Sequence, residues 1–291
     1  MKLPALIRLL RPAHWVKNGA VVLPIIFAGR IFDAGAILSA AEGFVIFCLL
    51  SSAVYAINDC FDAEEDRHHP RKRFRPIASG QISQKAGLLT GGLLAVLGLG
   101  LSFLLGTAFL VFSACYFFMQ LLYSAKLKSF VLLDVIIIAL GFVLRASAGA
   151  EAISVAISPW LFVCMFTLCL FMGFCKRYSE MVAIEDSEKR NSHRSTMQHY
   201  TPNLLTHLIT LSASLALMAF LAWSTSPETI ARIGSERLVY TFPLIVYGTF
   251  RFALVSMRGK YEGPVDIVLK DIPFTVSVAI WCLLAIFLCN F

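Results

Sequence analysis

Three aspartates at the end of an apolar segment are spaced so that they could hold a divalent metal ion. Asp59, Asp62 and Asp66 lie at positions i, i+3 and i+7, which places their carboxylates on one face of a continuing helix. Carboxylate oxygens are hard ligands of the kind that Mg²⁺ takes, usually together with substrate phosphates. The spacing therefore predicts a magnesium site, with the neighbouring Asn58 as a further ligand.

Basic residues follow the aspartates directly and supply charge of the opposite sign. Positions 67–75 contain Arg67, Arg71, Lys72, Arg73 and Arg75. Guanidinium and ammonium groups bind phosphate oxygens, so the pattern predicts a site for a phosphorylated substrate. The alternative is a charged helix end that only stops a membrane span at the water interface. Ordinary stop signals are basic, however, and do not space three acids along one helical face.

The elements that carry these residues are apolar helices. A hydrophobic fraction of 58% and a mean hydropathy of +0.76 exclude an ordinary soluble domain. Repeated apolar runs of about 18–22 residues predict an all-α, polytopic membrane protein. The nine predicted transmembrane helices are residues 15–32, 36–57, 86–105, 107–124, 129–148, 159–177, 203–224, 238–255 and 272–290. A single domain over residues 1–291 is expected, because no linker of Pro, Gly or Ser interrupts the chain.

The distribution of lysine and arginine predicts the orientation in the membrane. Of the 25 such residues, 20 lie in the N-terminal tail or in the loops after even-numbered spans. The positive-inside rule then places the N-terminus and the active-site loops in the cytoplasm and the C-terminus outside the plasma (inner) membrane. The net charge of +7 fits this bias and an attraction to anionic membrane lipid. No nucleic-acid partner is expected, since no soluble basic domain exists to bind one.

A second polar cluster ends the predicted sixth span. It contains Lys176, Arg177, Tyr178 and Glu180. Lys176 and Arg177 are predicted to receive an anionic group, while Glu180 completes a metal or hydroxyl site. The alternative is that Lys176 and Glu180, at i and i+4, only pair on a solvated helix face.

Two shorter elements are also candidates for substrate binding. Lys17 and Asn18 open the first predicted span, where Lys17 lies at the depth expected for substrate phosphates, although such a lysine often extends to lipid headgroups instead. Tyr123 and Lys128 close the fourth span.

Two ionisable residues lie inside the predicted fifth span. Asp134 and Arg145 are costly in hydrocarbon, so each is expected to be functional or paired. They are too far apart to touch along one helix. Each is therefore expected to meet a partner on another helix or to face a cavity.

These motifs resemble those of the UbiA-type intramembrane prenyltransferase superfamily over essentially the full chain. The resemblance is carried by the nine-span layout, the N-D-x-x-D-x-x-x-D motif at 58–66, the R-P-x-x-W-x-K-N opening at 11–18, the Tyr123…Lys128 element and Arg145. It implies a helical bundle around a central cavity that is open to the bilayer, with Mg²⁺ holding a diphosphate.

Within the superfamily, the chain is similar to the decaprenyl-phosphate phosphoribosyltransferases. This likeness is carried by residues 69–80, 176–180 and 262–271. Aromatic prenyltransferases of the superfamily usually have a second aspartate pair after span 6, where this chain has Lys-Arg-Tyr-x-Glu. The resemblance implies Mg²⁺-dependent transfer of a 5-phosphoribosyl group from phosphoribosyl diphosphate to a polyprenyl phosphate, with release of diphosphate. It leaves the oligomeric state, including a homo-oligomer, open.

The number of phosphates in these substrates, compared with the acidic and basic residues of the chain, favours the same activity. A phosphoribosyl donor and a lipid phosphate acceptor bring two phosphates besides the diphosphate, which suits one acidic loop and several basic positions. Lys72, Arg73 and Arg75 are expected to hold donor phosphates, and Lys176 and Arg177 the lipid phosphate. Two alternatives remain at this point. One is transfer of a prenyl chain from its diphosphate to an aromatic or other small acceptor, and the other is a transporter with an ion site at Asp134 and Arg145.

Overall fold

The structure is a computed structural model that describes residues 4–70, 72–185, 199–259, 261 and 263–290. Over these residues the chain is helical and has no β-strand, which confirms the all-α class. The α-helices are α1 (Ala5–Leu10), α2 (Leu23–Phe27), α3 (Ala34–Phe61), α4 (Ala63–His68), α5 (Gln84–Ser102), α6 (Thr107–Ala125), α7 (Leu133–Ala152), α8 (Pro159–Glu185), α9 (Pro202–Ser224), α10 (Pro227–Ile233), α11 (Phe242–Met257), α12 (Pro264–Lys270) and α13 (Ile272–Asn290). Short 3₁₀ helices cover Pro12–Val21, Lys72–Phe74, Phe103–Leu105, Leu127–Ser129 and Arg237–Thr241.

Eight helical segments of the described chain are long and apolar enough to cross a membrane. They are Ala34–Phe61, Gln84–Leu105, Thr107–Ala125, Leu133–Ala152, Pro159–Val182, Pro202–Ser224, Arg237–Met257 and Ile272–Asn290. At about 1.5 Å per residue, each is close to or above the roughly 30 Å of the hydrocarbon core. The protein is therefore an integral membrane protein with several spans.

The predicted first span, residues 15–32, is not one long helix. The chain instead forms the 3₁₀ helix Pro12–Val21 and then the short α2. Pro24 has no N–H to donate and its ring would meet the carbonyl four residues earlier, so an α-helix cannot continue unbroken through it. Gly29 then adopts a positive φ of 68° beyond the end of α2. The count of nine spans is therefore not confirmed.

The chain divides into two compact units, which are described separately. The first unit contains Met1–Ile25, Phe32–Lys128 and Leu144–Ala156. The second contains Ile26–Ile31, Ser129–Val143 and Ile157–Phe291. The division after Val143 falls inside α7. That residues 1–291 act as a single domain stays a prediction.

In the first unit, α3 packs closely against α5 because glycines line the contact. A Cβ added at Gly91 would lie 2.7 Å from Ile57 Cγ1, and one at Gly98 would lie 2.8 Å from Leu50 Cδ2. Small residues at such positions let membrane helices approach each other closely. This contact fixes the direction of α3, whose last turn carries Asp59.

In the second unit, α8 and α9 pack along each other and α11 and α13 complete the bundle. Phe171, Leu205 and Phe252 are fully buried in its core. An apolar cavity of about 280 Å³ lies among these four helices, and Met172 on α8 is among its lining residues. Lys176 follows Met172 by about one turn on the same helix.

Candidate active site

The three aspartates lie where α3 gives way to α4 in the first unit. Asp59 is in the last turn of α3, Asp62 lies between the two helices, and Asp66 is in α4. The predicted single helix therefore ends at Asp62, whose φ and ψ are −86° and 0°. Backbone hydrogen bonds from Asp62 N to Asn58 O and from Asp66 N to Asp62 O continue the helical pattern, so the break is slight. Asp59 and Asp66 are buried.

Four cations of the described part of the chain surround these carboxylates, and we call these seven charged groups the aspartate site. They are Arg11, Lys72, Arg75 and Lys128 with Asp59, Asp62 and Asp66. Arg75 bridges two aspartates, since its Nη1 lies 3.2 Å from Asp59 Oδ1 and 2.6 Å from Asp66 Oδ2. The structure thus brings Arg75 to the carboxylates, as its position after the motif suggested.

Lysines complete the set of cations at Asp62 and Asp66. Lys128 Nζ lies 2.6 Å from Asp62 Oδ1, and Asn58 Nδ2 donates to the other oxygen of that carboxylate at 3.0 Å. Lys72 Nζ is 3.9 Å from Asp66 Oδ1. The side chain of Lys128 therefore reaches the motif from the loop after α6, which lies 66 residues further along the chain.

Arg11 is a member of this site that sequence reasoning did not assign. Its Nη2 donates to Asp59 Oδ1 at 2.5 Å, and its guanidinium lies 4.8 Å from the centre of the Tyr55 ring. The backbone of Arg11 is left-handed, with φ 52° and ψ 59°, a conformation that costs a non-glycine residue roughly 1–2 kcal/mol. The ion pair and the ring contact offset that strain. The only signal in the sequence was the position of Arg11 in the R-P-x-x-W-x-K-N opening.

Arg73 does not join the aspartate site. Its guanidinium lies 4.9 Å from the centre of the Phe74 ring, and its side chain is exposed. Arg71 lies outside the described residues. Tyr123 is half-buried near the end of α6, one helical turn before the loop that carries Lys128.

Asn18 and Arg145 form a buried polar contact elsewhere in the first unit. Arg145 Nε donates to Asn18 Oδ1 at 2.9 Å, and its Nη2 donates to the Tyr116 hydroxyl at 2.7 Å. Asn18 Nδ2 in turn donates to Ser51 Oγ at 3.1 Å. The prediction that Arg145 meets a partner on another helix is therefore confirmed. Lys17 is half-buried one residue before Asn18.

The second unit contains a buried charged cluster, which we call the Arg177 cluster. It consists of Asp134, Lys176, Arg177, Glu180 and Tyr200. Arg177 Nε lies 2.9 Å from Asp134 Oδ2, and Arg177 Nη1 donates to Glu180 Oε2 at 2.5 Å. The prediction that Asp134 finds a partner on another helix is confirmed, since Asp134 is on α7 and Arg177 on α8.

The remaining members of the Arg177 cluster differ in exposure. The side chain of Lys176 is 46% exposed, and its Nζ is 3.7 Å from Glu180 Oε1. The pairing of Lys176 with Glu180 at i and i+4, which was the alternative interpretation of the sequence, is therefore present. Tyr178 is half-buried against the apolar core. Arg177, in contrast, is only 3% exposed and already contacts two carboxylates. Lys176 and Arg177, which the sequence predicted to act together, therefore differ in burial and in the carboxylates that they contact.

Tyr200 is a further residue that sequence reasoning missed. Its hydroxyl donates to Asp134 Oδ1 at 2.8 Å and accepts from the backbone N–H of Leu132 at 2.9 Å. Burial raises the pKa of the Tyr200 hydroxyl well above its ordinary value, so the hydroxyl stays protonated and donates. Leu132 has a positive φ of 69°. No pattern in the sequence marks a tyrosine for this contact.

The described charged residues of a third segment, positions 262–271, form ion pairs within the protein. Asp271 accepts from Arg251 Nε at 2.9 Å and from Arg251 Nη2 at 2.8 Å. It also accepts from the backbone N–H of Phe274 at the start of α13. Lys270 and Asp266 form an exposed pair. Glu262 and the charged residues within positions 186–198 lie outside the described residues.

The chemistry of the aspartate site fits a magnesium ion. It provides three carboxylates and the Asn58 amide, and Asp59 Oδ2 is buried and has no hydrogen-bond partner among the described residues. A buried carboxylate oxygen without a partner is costly, so a cation ligand there would be stabilising. Among the residues that the structure describes, however, no three His, Cys, Asp or Glu side chains are gathered closely enough to hold a metal ion as they stand. The four cations contact the same carboxylates that a metal would use.

Relatives of known activity match the chain along most of its length. The decaprenyl-phosphate phosphoribosyltransferase of Corynebacterium glutamicum is 36% identical over 280 residues, which cover 95% of this chain and 84% of that protein. The protein of the same description from Mycolicibacterium smegmatis is 33% identical over 287 residues, which cover 95% of this chain and 89% of that protein.

Solved structures share the fold of the chain. A UbiA homologue from Archaeoglobus fulgidus, bound to GPP and Mg²⁺, superposes with a TM-score of 0.73 and 18% identity, covering 99% of this chain and 100% of that chain. At that identity the likeness concerns the fold alone. The model of the UbiA prenyltransferase family matches residues 21–262. With five-sixths of the sequence inside that match and relatives above 30% identity, the chain belongs to the UbiA prenyltransferase family.

Proposed function

We propose that this transferase moves a 5-phosphoribosyl group from phosphoribosyl diphosphate to a polyprenyl phosphate and releases diphosphate. The observation that carries the proposal is the excess of cations at the aspartate site, where four basic side chains meet three carboxylates. A donor with a diphosphate and a further phosphate needs more positive charge than Mg²⁺ alone supplies. The names of the two bacterial relatives support the same activity.

The aspartate site would bind the donor. Asp59, Asp62 and Asp66, with Asn58, would hold Mg²⁺, whose positive charge would stabilise the diphosphate leaving group. Arg75, Lys72 and Lys128 lie close enough to these carboxylates to contact phosphate oxygens of the same donor. Their charge-assisted hydrogen bonds would orient the diphosphate so that C1 is presented to the acceptor.

The acceptor needs little activation from the protein. A lipid phosphate is already anionic at neutral pH, so its oxygen can attack C1 without a strong general base. Lys176 is the residue of the second unit that we assign to this phosphate, because its ammonium is half-exposed at the end of a membrane helix. Arg177 is buried between two carboxylates, so we assign it to holding the cluster together. The polyprenyl tail would lie between the spans and the bilayer.

Orientation and assembly complete the proposal. The bias of lysine and arginine toward the tail and the loops after even-numbered spans supports a cytoplasmic N-terminus and a cytoplasmic aspartate site. Phosphoribosyl diphosphate is water-soluble and would enter from that side, in the plasma (inner) membrane. A homo-oligomer is compatible with this arrangement.

Labelled donor tests the activity directly. Purified protein in lipid nanodiscs would be given phosphoribosyl diphosphate labelled in the ribose, a short polyprenyl phosphate and Mg²⁺. We expect label in the lipid fraction, and none with Asp62→Ala. Glu64→Gln is the matched control, since Glu64 is exposed on α4 and, within the described part of the chain, pairs with Arg67 at 2.7 Å. A protein that ignores this donor but joins a prenyl diphosphate to an aromatic acceptor would instead be an aromatic prenyltransferase.

A further inference from the structure

The ion pairs of the aspartate site compete with the metal for the same oxygen atoms. Arg11 and Arg75 both contact Asp59 Oδ1, and Arg75 also contacts Asp66 Oδ2. Lys128 contacts Asp62 Oδ1. A metal ion that takes these three oxygens as ligands must compete with the cations for their lone pairs. Asp59 Oδ2, which has no hydrogen-bond partner among the described residues, is open to the metal without such competition.

The charge balance decides what such a displacement costs. Three carboxylates and four cations leave the aspartate site with one positive charge in excess. A divalent ion alone would raise that excess further among groups that are largely buried, where Coulomb repulsion is weakly screened. A diphosphate alone would face the three carboxylates. The two together nearly cancel the charge, and the displaced cations gain phosphate oxygens as new partners.

We propose that Arg11, Arg75 and Lys128 make the binding of Mg²⁺ and of diphosphate at the aspartate site mutually dependent. The three cations pair with the carboxylates in one arrangement and with the diphosphate in the other. Arg11 thereby becomes a ligand of the donor diphosphate, a role that its position before Pro12 does not reveal. The metal binds weakly by itself and tightly with the diphosphate.

The exposure of the basic side chains supports an exchange of partners rather than permanent contacts with the carboxylates. The side chains of Arg11, Arg75 and Lys128 are 17%, 24% and 29% exposed, so each can reach a ligand outside the carboxylates. Asp59 and Asp66 are buried at the helix junction. The buried carboxylates are therefore the fixed part of the site, and the longer basic side chains are the part that changes partner.

Two binding measurements test this coupling without any turnover. Electron paramagnetic resonance of Mn²⁺ with the purified protein in nanodiscs gives the affinity for metal alone. Retention of ³²P-labelled inorganic diphosphate gives its affinity in Mg²⁺ and in EDTA. Coupling between two ligands changes affinity by about 5- to 150-fold and is reciprocal. We expect wild-type protein to bind diphosphate more tightly in Mg²⁺ than in EDTA by a factor in this range.

The sign of one variant's effect is decisive. Arg75→Gln should bind Mn²⁺ more tightly than wild type when no diphosphate is present, and should bind diphosphate more weakly in Mg²⁺. Arg67→Gln is the control and should change neither affinity, because Arg67 pairs with exposed Glu64. If Arg75→Gln does not fold, Lys128→Gln makes the same test at Asp62. Equal Mn²⁺ affinity in variant and wild type, or weaker binding of both ligands, overturns the proposal.

The inference rests on the proposed function only in placing Mg²⁺ and a diphosphate at the aspartates. Inorganic diphosphate contains neither ribose nor lipid, so the binding test does not depend on which donor is used. Coupled binding without phosphoribosyl transfer would reject the proposed function alone. Transfer without coupled binding would reject the present inference alone.

Discussion

Arg177 Nε lies 2.9 Å from Asp134 Oδ2 in the interior of the second unit, where the two side chains are 3% and 0% exposed. A buried pair of this kind is stable only when further hydrogen bonds compensate for the lost hydration. Tyr200 supplies one to Asp134, and Glu180 supplies a second carboxylate to Arg177. The pair therefore ties the first turn of α7 to α8, and Arg177 has a structural role beside its exposed neighbour Lys176.

Removing Arg177 should destabilise the protein. Arg177→Ala would leave the Asp134 carboxylate buried and unpaired, which typically costs about 3–5 kcal/mol. We expect a large drop in apparent Tm and in the yield of monodisperse protein in detergent. Lys176→Ala should change the apparent Tm little, since changes at exposed charges usually stay within about 0.5 kcal/mol. Wild-type stability of Arg177→Ala would contradict the structural role.

Lys176 should affect the lipid substrate instead. If its ammonium receives the lipid phosphate, Lys176→Ala loses a charge-assisted hydrogen bond worth about 1.5–3 kcal/mol, or roughly 10- to 150-fold in affinity. We expect a rise of this size in KM for polyprenyl phosphate and little change in KM for the phosphoribosyl donor. Lys270→Ala, at an exposed position of α12, is the control. A change confined to the donor would move Lys176 to the donor site.

The aspartate carboxylates should be indispensable for turnover and dispensable for insertion. Loss of a metal that stabilises the leaving group removes several kcal/mol of transition-state stabilisation. Asp62→Ala and Asp66→Ala should therefore lower the rate by more than about a hundredfold. Membrane fractions should contain each variant at the wild-type level. Near-wild-type activity of either variant, or full activity in excess EDTA, would reject the metal assignment.

Features that depend on local spacing could be predicted from the sequence. The apolar runs gave eight of the helices because a spanning helix needs only length and composition. The proximity of Arg75 to Asp66 followed from a separation of only nine positions and a short turn. The first predicted span is not one long helix for an equally local reason, because Pro24 interrupts an otherwise apolar run. A hydropathy profile does not show that a proline changes the type of helix.

Features that depend on distant partners could not be predicted. Asp134 and Arg145 were each recognised as needing a partner, but Arg177 and Asn18 are 43 and 127 positions away. Many side chains could satisfy a buried charge, and only packing selects one. Arg11 was missed for a different reason. A basic residue at a membrane edge usually contacts lipid headgroups, and residue type alone does not reveal a left-handed backbone that points the side chain at Asp59.

The membrane topology provides a test of the irregular N-terminal segment. The 3₁₀ helix Pro12–Val21 and α2 together extend about 28 Å, at roughly 2.0 and 1.5 Å per residue. That length is close to the hydrocarbon thickness, so this segment can still cross the membrane as a ninth span. We expect a reporter fused after Phe291 to be external and one inserted near Ser79 to be cytoplasmic. Seven spans separate these two positions in either case, so a third reporter, fused at the N-terminus, tests the segment itself. It should be cytoplasmic like the one near Ser79 if the segment crosses, and on the opposite side from Ser79 if the segment does not cross and the protein has eight spans.

Tyr200 should contribute stability that depends on pH. Tyr200→Phe removes a donor to Asp134 and an acceptor for the N–H of Leu132, and an unsatisfied buried group costs about 1–3 kcal/mol. We therefore expect a lower apparent Tm at pH 7, while Tyr240→Phe, at an exposed position, should change it little. Burial raises the pKa of the folded-state Tyr200 hydroxyl above its unfolded value of about 10. The hydroxyl's contribution is then complete below pH 10 and is lost as pH rises toward the raised folded pKa. Melting curves between pH 7 and pH 11 should show the difference between wild type and Tyr200→Phe shrinking above pH 10, and a difference that grows there would show that the hydroxyl does not act as the donor to Asp134.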